Sequence, residues 1–258
     1  MQNEKRARVN GYLRKLRYFE APKHVFLSDE KILNLPSKAD VEEKLSIHLK
    51  RYQSFAGLPV TGRVNKATLE RMEQPRCGFP DISHLELVLL SAKTPKWGIS
   101  NINYGFQNFT NQLDPQIIRE AIRIAFDIWT QVIPLHFHEV EIDGSPHIVI
   151  RFAKKSHGDS FPFDGQEGIL AHTFPPDSSL GSLAGDIHFD DEEHWGASEA
   201  PQTPTEKDLV SVAAHEIGHA LGLVHSLVKE SLMYAIYEGP HRFLHQDDIE
   251  RITELYDM

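Results

Sequence analysis

The sequence predicts an α+β protein: three short helices packed as a small N-terminal bundle, then a larger body built from a twisted mixed sheet and long helices. Three observations lead there. Residues 4–72 carry helix-period patterns broken by a turn cluster, whereas from about residue 96 strand-like runs alternate with amphipathic helices. Pro75 and Pro80 bracket an extended segment between the two patterns, because a proline disfavours helix in the residue before it. The charge also changes sign: residues 1–92 hold 16 Lys/Arg against 11 Asp/Glu, and residues 93–258 hold 11 against 26. A basic part ahead of an acidic one can be two units that attract one another or two unrelated solvated surfaces.

Taken in order, residues 4–19 place Val9, Tyr12, Leu13 and Leu16 at helical spacing. A second helix is expected from Asp40, as its cap, to Phe55, with Val41, Leu45, His48, Leu49 and Tyr52 on one face. Gly57-Leu58-Pro59-Val60-Thr61-Gly62 is a turn cluster, and Ala67-Thr68-Leu69 through Met72 reads as the third helix. Asn101–Phe106 and His147–Phe152 look like strands. Between them Asp114-Pro115, a cap followed by proline at the first position, opens a helix that buries Ile118, Ile122, Ala125 and Trp129. Residues 155–200, rich in Gly, Asp, Ser and Pro, read as an irregular stretch far longer than ordinary loops, which implies function or a hold other than a core. Residues 205–222 read as a helix of rising apolarity, and Gln246–Tyr256 as the last one.

Composition narrows the chemistry. With 258 residues, 40% hydrophobic and 25% charged, the chain can bury a core and has no run resembling a membrane span. The acidic main body argues against nucleic acid as a partner. Met1-Gln2-Asn3-Glu4 leads into no apolar stretch, so no signal peptide is expected within the sequence as given. The single cysteine, Cys77, permits no intramolecular disulfide. Of 15 histidines, 12 lie in the acidic part, and that pairing points toward metal.

The sharpest pattern is His215-Glu216-Ile217-Gly218-His219. Imidazoles four apart stack on one helix face and can share a zinc ion, with the intervening Glu216 placed to take a proton from water. His225 becomes a third ligand if the chain reverses at Gly222, a left-handed turn glycine adopts without penalty. Against this stands the reading of three ordinary core or surface histidines. In residues 155–200, His157, Asp159, His172 and His188 supply a donor set for a closed, structural zinc site, although scattered loop histidines would give the same spacing. A lone Cys77 is by default a small buried thiol.

With these residues in hand, the chain resembles the metzincin peptidases, whose motif His-Glu-x-x-His-x-x-Gly-x-x-His it carries from His215 to His225. Ser226 after the third histidine, and Met233 in Ser231-Leu232-Met233-Tyr234, are similar to the matrix metalloproteinase (matrixin) branch, although most members have proline where this chain has Ala235. Pro75-Arg76-Cys77-Gly78-Phe79-Pro80-Asp81 resembles that family's cysteine switch, and Gln53 with Gly57–Gly62 and Ala67-Thr68-Leu69 its three-helix pro-segment. The resemblance implies a metzincin catalytic domain, a twisted mixed five-stranded sheet with three helices, over residues 87–258, behind a helical pro-domain over residues 1–86. It stops at Leu255-Tyr256, as in the minimal matrilysin-type layout, with no haemopexin-like domain in the sequence as given.

Further implications come with it. Glu216 is the catalytic base, and His215, His219 and His225 hold the catalytic zinc. Cys77 takes the open position in the latent form, its loop shaped by an Arg76–Asp81 pair. His157, Asp159, His172 and His188 hold the second zinc. Asp164, Gly165, Glu167, Ile169, Asp190 and Glu193 hold at least one calcium; His147 stands where an acidic ligand of a second one is common, and the stretch from His172 to His188 is longer than in typical members. Ile169, Leu170 and Ala171 form the edge strand that pairs with substrate, Tyr237 lines the site, and Ser211 limits the depth of the main pocket, its small side chain admitting long apolar residues after the cut. No Arg-x-Lys/Arg-Arg run lies between Cys77 and Trp97, so activation is expected from another extracellular protease near residues 85–90. The implied activity is a latent, secreted zinc endopeptidase, a monomer acting on proteins of the extracellular matrix, collagen among them, and met by tissue-inhibitor-type proteins. The alternatives are a catalytically silent zinc-stabilised binding protein and another metzincin branch; Glu216 speaks against the first, Ser226 and the switch motif against the second.

Overall fold

The computed structural model describes residues 2–19, 38–81 and 94–257 and divides them between two compact units. One comprises residues 1–73 and 80–93, the other residues 74–79 and 94–258. The expected boundary between residues 86 and 87, and the cleavage region at 85–90, lie outside the described residues. Among the described residues no helix is long and apolar enough to cross a membrane.

The first unit holds α1 (Gln2–Lys15), α2 (Lys38–Phe55) and α3 (Lys66–Met72). The expected helix over 4–19 ends at Lys15: Arg17 takes a positive φ of 60°, which bends the chain so that Leu16 and Tyr18 still reach the core. Val9, Leu13, Leu45, Leu49, Tyr52 and Met72 complete that core. Asp40 lies inside α2, so the expected cap is displaced. The cap of α3 is Asn65, which accepts from Thr68 N. Gln53, fully buried, donates to Thr61 Oγ1, Arg63 O and Thr68 Oγ1 and accepts from the amides of Thr61 and Gly62. One amide side chain thus satisfies the turn between α2 and α3.

The second unit is built on a six-stranded sheet. β1 (Arg76–Cys77), β2 (Asn101–Phe106), β3 (His136–Glu139), β4 (Ile148–Ala153), β5 (Ile169–Thr173) and β6 (Ile187–Asp190) lie in the order β1-β5-β6-β4-β2-β3. Only the β5–β6 pair is antiparallel. The five expected strands are therefore joined by a sixth from the Pro75–Pro80 segment, parallel to β5. The second predicted strand begins at Ile148 because His147 is used otherwise: its ring nitrogen accepts from Asn103 N at 2.9 Å. Residues 155–200 are less irregular than their composition implies, since they contain β5, β6 and β7 (His194–Gly196).

Three helices complete the unit: α4 (Pro115–Thr130) and α5 (Leu209–Ala220) share the core of the sheet, and α6 (Gln246–Leu255) adds Ile252 to it. Asp114 caps α4 as expected. α5 starts later than residue 205, because Glu206–Asp208 is strand β8, paired with β7, and extended Asp208 caps the helix by accepting from Ser211 N. Trp129, fully buried on α4, donates its indole N–H to Ala214 O at 2.8 Å and so fixes α5, which carries the histidine motif, against the core.

Candidate metal centre

α5 delivers His215, Glu216 and His219 from one buried face, and all three are less than a tenth exposed. After Ala220 the chain reverses at Gly222, whose φ of +109° and backbone contact with Pro95 O leave no room for a side chain. The reversal returns His225, and its neighbour Ser226 bonds to Asp247 at 2.7 Å. From the opposite side, β1 presents Cys77. The ligand atoms of Cys77, His215, His219 and His225 lie within 4.8 Å of one another.

The tautomers show that this group fits a cation. Nδ1 of His215 lies 2.7 Å from Leu232 O, and Nδ1 of His219 lies 2.8 Å from Leu223 O, so both Nδ1 atoms donate. The two Nε2 atoms therefore face each other as lone pairs at 3.1 Å. Burial holds His215 down at about 4 and drives His219 and His225 well below the usual range, which keeps all three neutral. Burial likewise raises the Cys77 thiol well above its ordinary value, with Glu216 adding to the rise, and pushes Glu216 up to about 7. Converging lone pairs, a thiol and a buried carboxylate are what a soft divalent ion such as zinc reverses.

The segment that brings Cys77 is firmly held. Arg76 N donates to Gly168 O at 2.7 Å, Gly78 N to Ala171 O at 2.7 Å, and Cys77 N to Ala235 O at 3.0 Å. Phe79 stacks on His219, with centroids 3.9 Å apart and planes at 7°, and meets His225 edge-on at 5.9 Å. Buried Arg76 donates Nε to Cys77 O, while Asp81, in the first unit, accepts from Tyr18 OH at 2.8 Å. Beside the cluster, Thr173 OH donates to Glu216 Oε2 at 2.6 Å.

A second cluster gathers His157, Asp159, His172 and His188, again with ligand atoms within 4.8 Å of one another. Burial works against the Asp159 carboxylate, but hydrogen bonding by His172 and the Phe161 amide holds it well below its usual range. Burial lowers His188 to about 3. His157 Nδ1 meets Lys155 O at 2.7 Å, leaving its Nε2 to point at Asp159, 2.8 Å away.

The oxygen-rich residues are less tightly gathered. Gly165 N donates to Asp190 Oδ2 at 3.1 Å and Ile169 N to Asp164 Oδ1 at 3.0 Å, while Glu167 pairs with Lys207 at 3.0 Å. Both carboxylate oxygens of Glu193 are buried without a hydrogen bond of good geometry, and burial pushes the group up to about 8 against the opposing Lys207 charge and the nearby Glu167 backbone. A buried carboxylate so poorly satisfied suits a hard cation.

A cavity of about 160 Å³ opens beside the first cluster, lined among others by Leu170, Ser211, Glu216 and Tyr237. Ala171, which follows Leu170 on β5, is the residue whose carbonyl receives Gly78. Ser211 is 4% exposed and its Oγ accepts from His241 N at 2.7 Å. Tyr237 OH accepts from Asp208 N at 2.9 Å, and its own amide donates to Pro75 O. Met233, fully buried, packs against Gly218, where any added Cβ would meet its sulfur. Two supports reach the cluster over distances that no sequence spacing reveals. Asp248 on α6 accepts from Ser231 Oγ and from the amides of Leu232, Met233 and His245, fixing the turn beneath the cluster. Thr173 holds Glu216.

Comparison with known proteins agrees with this geometry. Residues 96–257 match the family model of the matrixins. The chain belongs to the matrixin family. Residues 38–72 of this matrixin also match the model described as a peptidoglycan-binding domain. Relatives include neutrophil collagenase of Homo sapiens, 42% identical over 213 residues that make up 81% of this chain and 43% of the relative. Stromelysin-1 of Equus caballus is 40% identical over 212 residues, 81% of this chain and 42% of the relative. Matrilysin of Rattus norvegicus is 36% identical over 251 residues, 96% of this chain and 84% of the relative. The matrixin chain thus spans less than half the length of the collagenase and the stromelysin it matches.

Proposed function

We propose that this matrixin is a latent zinc endopeptidase, silenced by Cys77 until residues 1–86 are removed from a catalytic domain over 87–258. The observation that carries the reading is the convergence of Cys77 with His215, His219 and His225, beside the buried carboxylate of Glu216. His215, His219 and His225 would hold the catalytic zinc, which when bound supplies Lewis acidity to a water molecule and to the scissile carbonyl. Glu216, its affinity for a proton raised by burial, takes the proton from the attacking water and gives it to the leaving amine. Thr173 keeps the carboxylate oriented for both transfers. Cys77, while β1 lies against β5, occupies the position the water would need.

His157, Asp159, His172 and His188 offer no open position and suit a second, structural zinc; Asp164, Gly165, Glu167, Ile169, Asp190 and Glu193 suit at least one calcium. Substrate pairs with Leu170 and Ala171 of β5 once β1 leaves, and the side chain after the cut enters the cavity past Ser211 and Tyr237. The name of neutrophil collagenase supports collagen as a substrate. Proteins of the extracellular matrix more broadly, secretion, tissue-inhibitor-type partners and a monomeric state are what the family resemblance implies for this chain. Replacing Glu216 with Gln tests the chemistry. Cleavage of an internally quenched peptide by the processed chain is expected to fall by about 10²- to 10⁴-fold with zinc content unchanged; retention of most of the rate would remove Glu216 as the base.

A further inference from the structure

The first turn of α5 contains an ion pair that the mechanism above does not use. Asp208, 1% exposed, accepts from Ser211 N at 3.1 Å and from the Ser211 hydroxyl, which already satisfies its duty as the helix cap. An uncharged Asn or Ser would serve there equally well. Asp208 instead binds Arg242 through two bonds, Nε to Oδ2 at 2.9 Å and Nη2 to Oδ1 at 2.5 Å, and Arg242 Nη2 also reaches Ala197 O at 2.8 Å. Such a two-point guanidinium–carboxylate contact fixes orientation as well as distance.

What this pair joins is informative. Tyr237 OH accepts from Asp208 N, and His241 N donates to Ser211 Oγ. With Arg242, three attachments spaced along residues 237–242 tie that loop to the first turn of α5. The same loop supplies Tyr237, Glu238, Gly239, Pro240 and His241 to the cavity, whose lining also includes Cys77, His215 and Glu216 of the metal cluster. The loop therefore forms part of the cavity wall, and the position of that wall depends on the tie.

We propose that Arg242 is a positioning residue that sets substrate specificity: its pair with Asp208 fixes how far residues 238–241 stand from Ser211, and hence the longest side chain the pocket accepts after the cut. Arg242 does not line the cavity and acts through the loop. This inference rests on the peptidase reading. With the loop clamped, side chains of Leu size are accepted and rigid biaryl ones rejected; with the clamp broken, the wall yields to them.

The test uses the processed, zinc-loaded chain, its Arg242→Met and Asp208→Asn variants, and quenched peptides that differ only in having Ala, Leu or biphenylalanine after the scissile bond. The wild type is expected to favour Leu over biphenylalanine at least tenfold in kcat/KM. Both variants should reduce that ratio at least tenfold, mainly through KM. Asp208→Asn keeps an oxygen for the helix cap, so it remains informative if Arg242→Met does not fold. Hydrogen exchange of the His241 amide gives a readout independent of cleavage and should quicken at least tenfold in Asp208→Asn. An unchanged Leu-to-biphenylalanine ratio, a uniform slowing on all peptides, or unaltered His241 exchange would overturn the clamp while leaving the peptidase intact. A wild type that cleaves none of the peptides would instead overturn the peptidase reading, and the clamp with it.

Discussion

Replacing Phe79 with Ala should release the inhibitory segment even when no metal holds it. Phe79 is 4% exposed and lies flat on His219, with a further edge contact to His225. Truncating a buried Phe to Ala costs about 3–5 kcal/mol, including roughly 0.5–1.5 kcal/mol for an aromatic pair. Because the ring enters water when the segment lifts, the loss falls on the closed state, and the opening equilibrium rises by roughly 10²-fold or more. Cys77 is 6% exposed and is the sole cysteine, so its reaction with a chromogenic disulfide reports that opening directly. The assay is run on the intact chain after zinc depletion, which leaves packing and the backbone hydrogen bonds of residues 76–78 to keep the thiol covered. A rate increase of about 10²-fold is expected; a change of less than about threefold would refute the idea that ring packing, in addition to the thiol, holds the segment down.

Three further outcomes follow from the same contacts. Asp248→Ala leaves four donors around the Met233 turn without their acceptor, at about 1–3 kcal/mol each before water relieves some of them. A loss of at least ~3 kcal/mol should lower the melting temperature by roughly 6–12 °C, and a drop under about 2 °C would be inconsistent with that role. His172→Ala should cut bound zinc, counted by elemental analysis, from two ions per chain to one; two retained ions would show that the second cluster is not a zinc site. Gly222→Ala places a Cβ 2.3 Å from Pro95 O at a φ of +109°, so the turn must shift and carry His225 with it. Zinc should then be stripped from the first cluster by chelator at least tenfold faster, and an unaltered rate would mean that the turn does not set the third ligand.

Much of the site was legible because its chemistry is local. His215, Glu216 and His219 share one helix face, and Gly222 with His225 lies within one turn and a reversal, so spacing alone carries the geometry. The helices were legible to within a few residues for the same reason, as the capped start at Asp114 shows. What the sequence hides is long-range. Asp208 looks like an interior helical position until β7 is seen to pair with β8, which moves the start of α5. Asp248, Thr173 and Arg242 act on residues 15 to 43 positions away, and no spacing rule connects them. The loop over 155–200 shows the opposite failure. Its Gly, Asp, Ser and Pro content suggests an irregular stretch held by something other than a core, yet β5 and β6 pass through it, supported by neighbours that composition does not reveal.

The most direct measurement is cleavage of an internally quenched peptide by the intact chain, before and after a thiol reagent modifies Cys77, with a zinc chelator as the control. Silence at first, then activity that the chelator abolishes, is the predicted result. Activity from the outset with the pro-segment attached would contradict the switch. No activity after modification and removal of the pro-segment, with zinc bound, would contradict the peptidase itself.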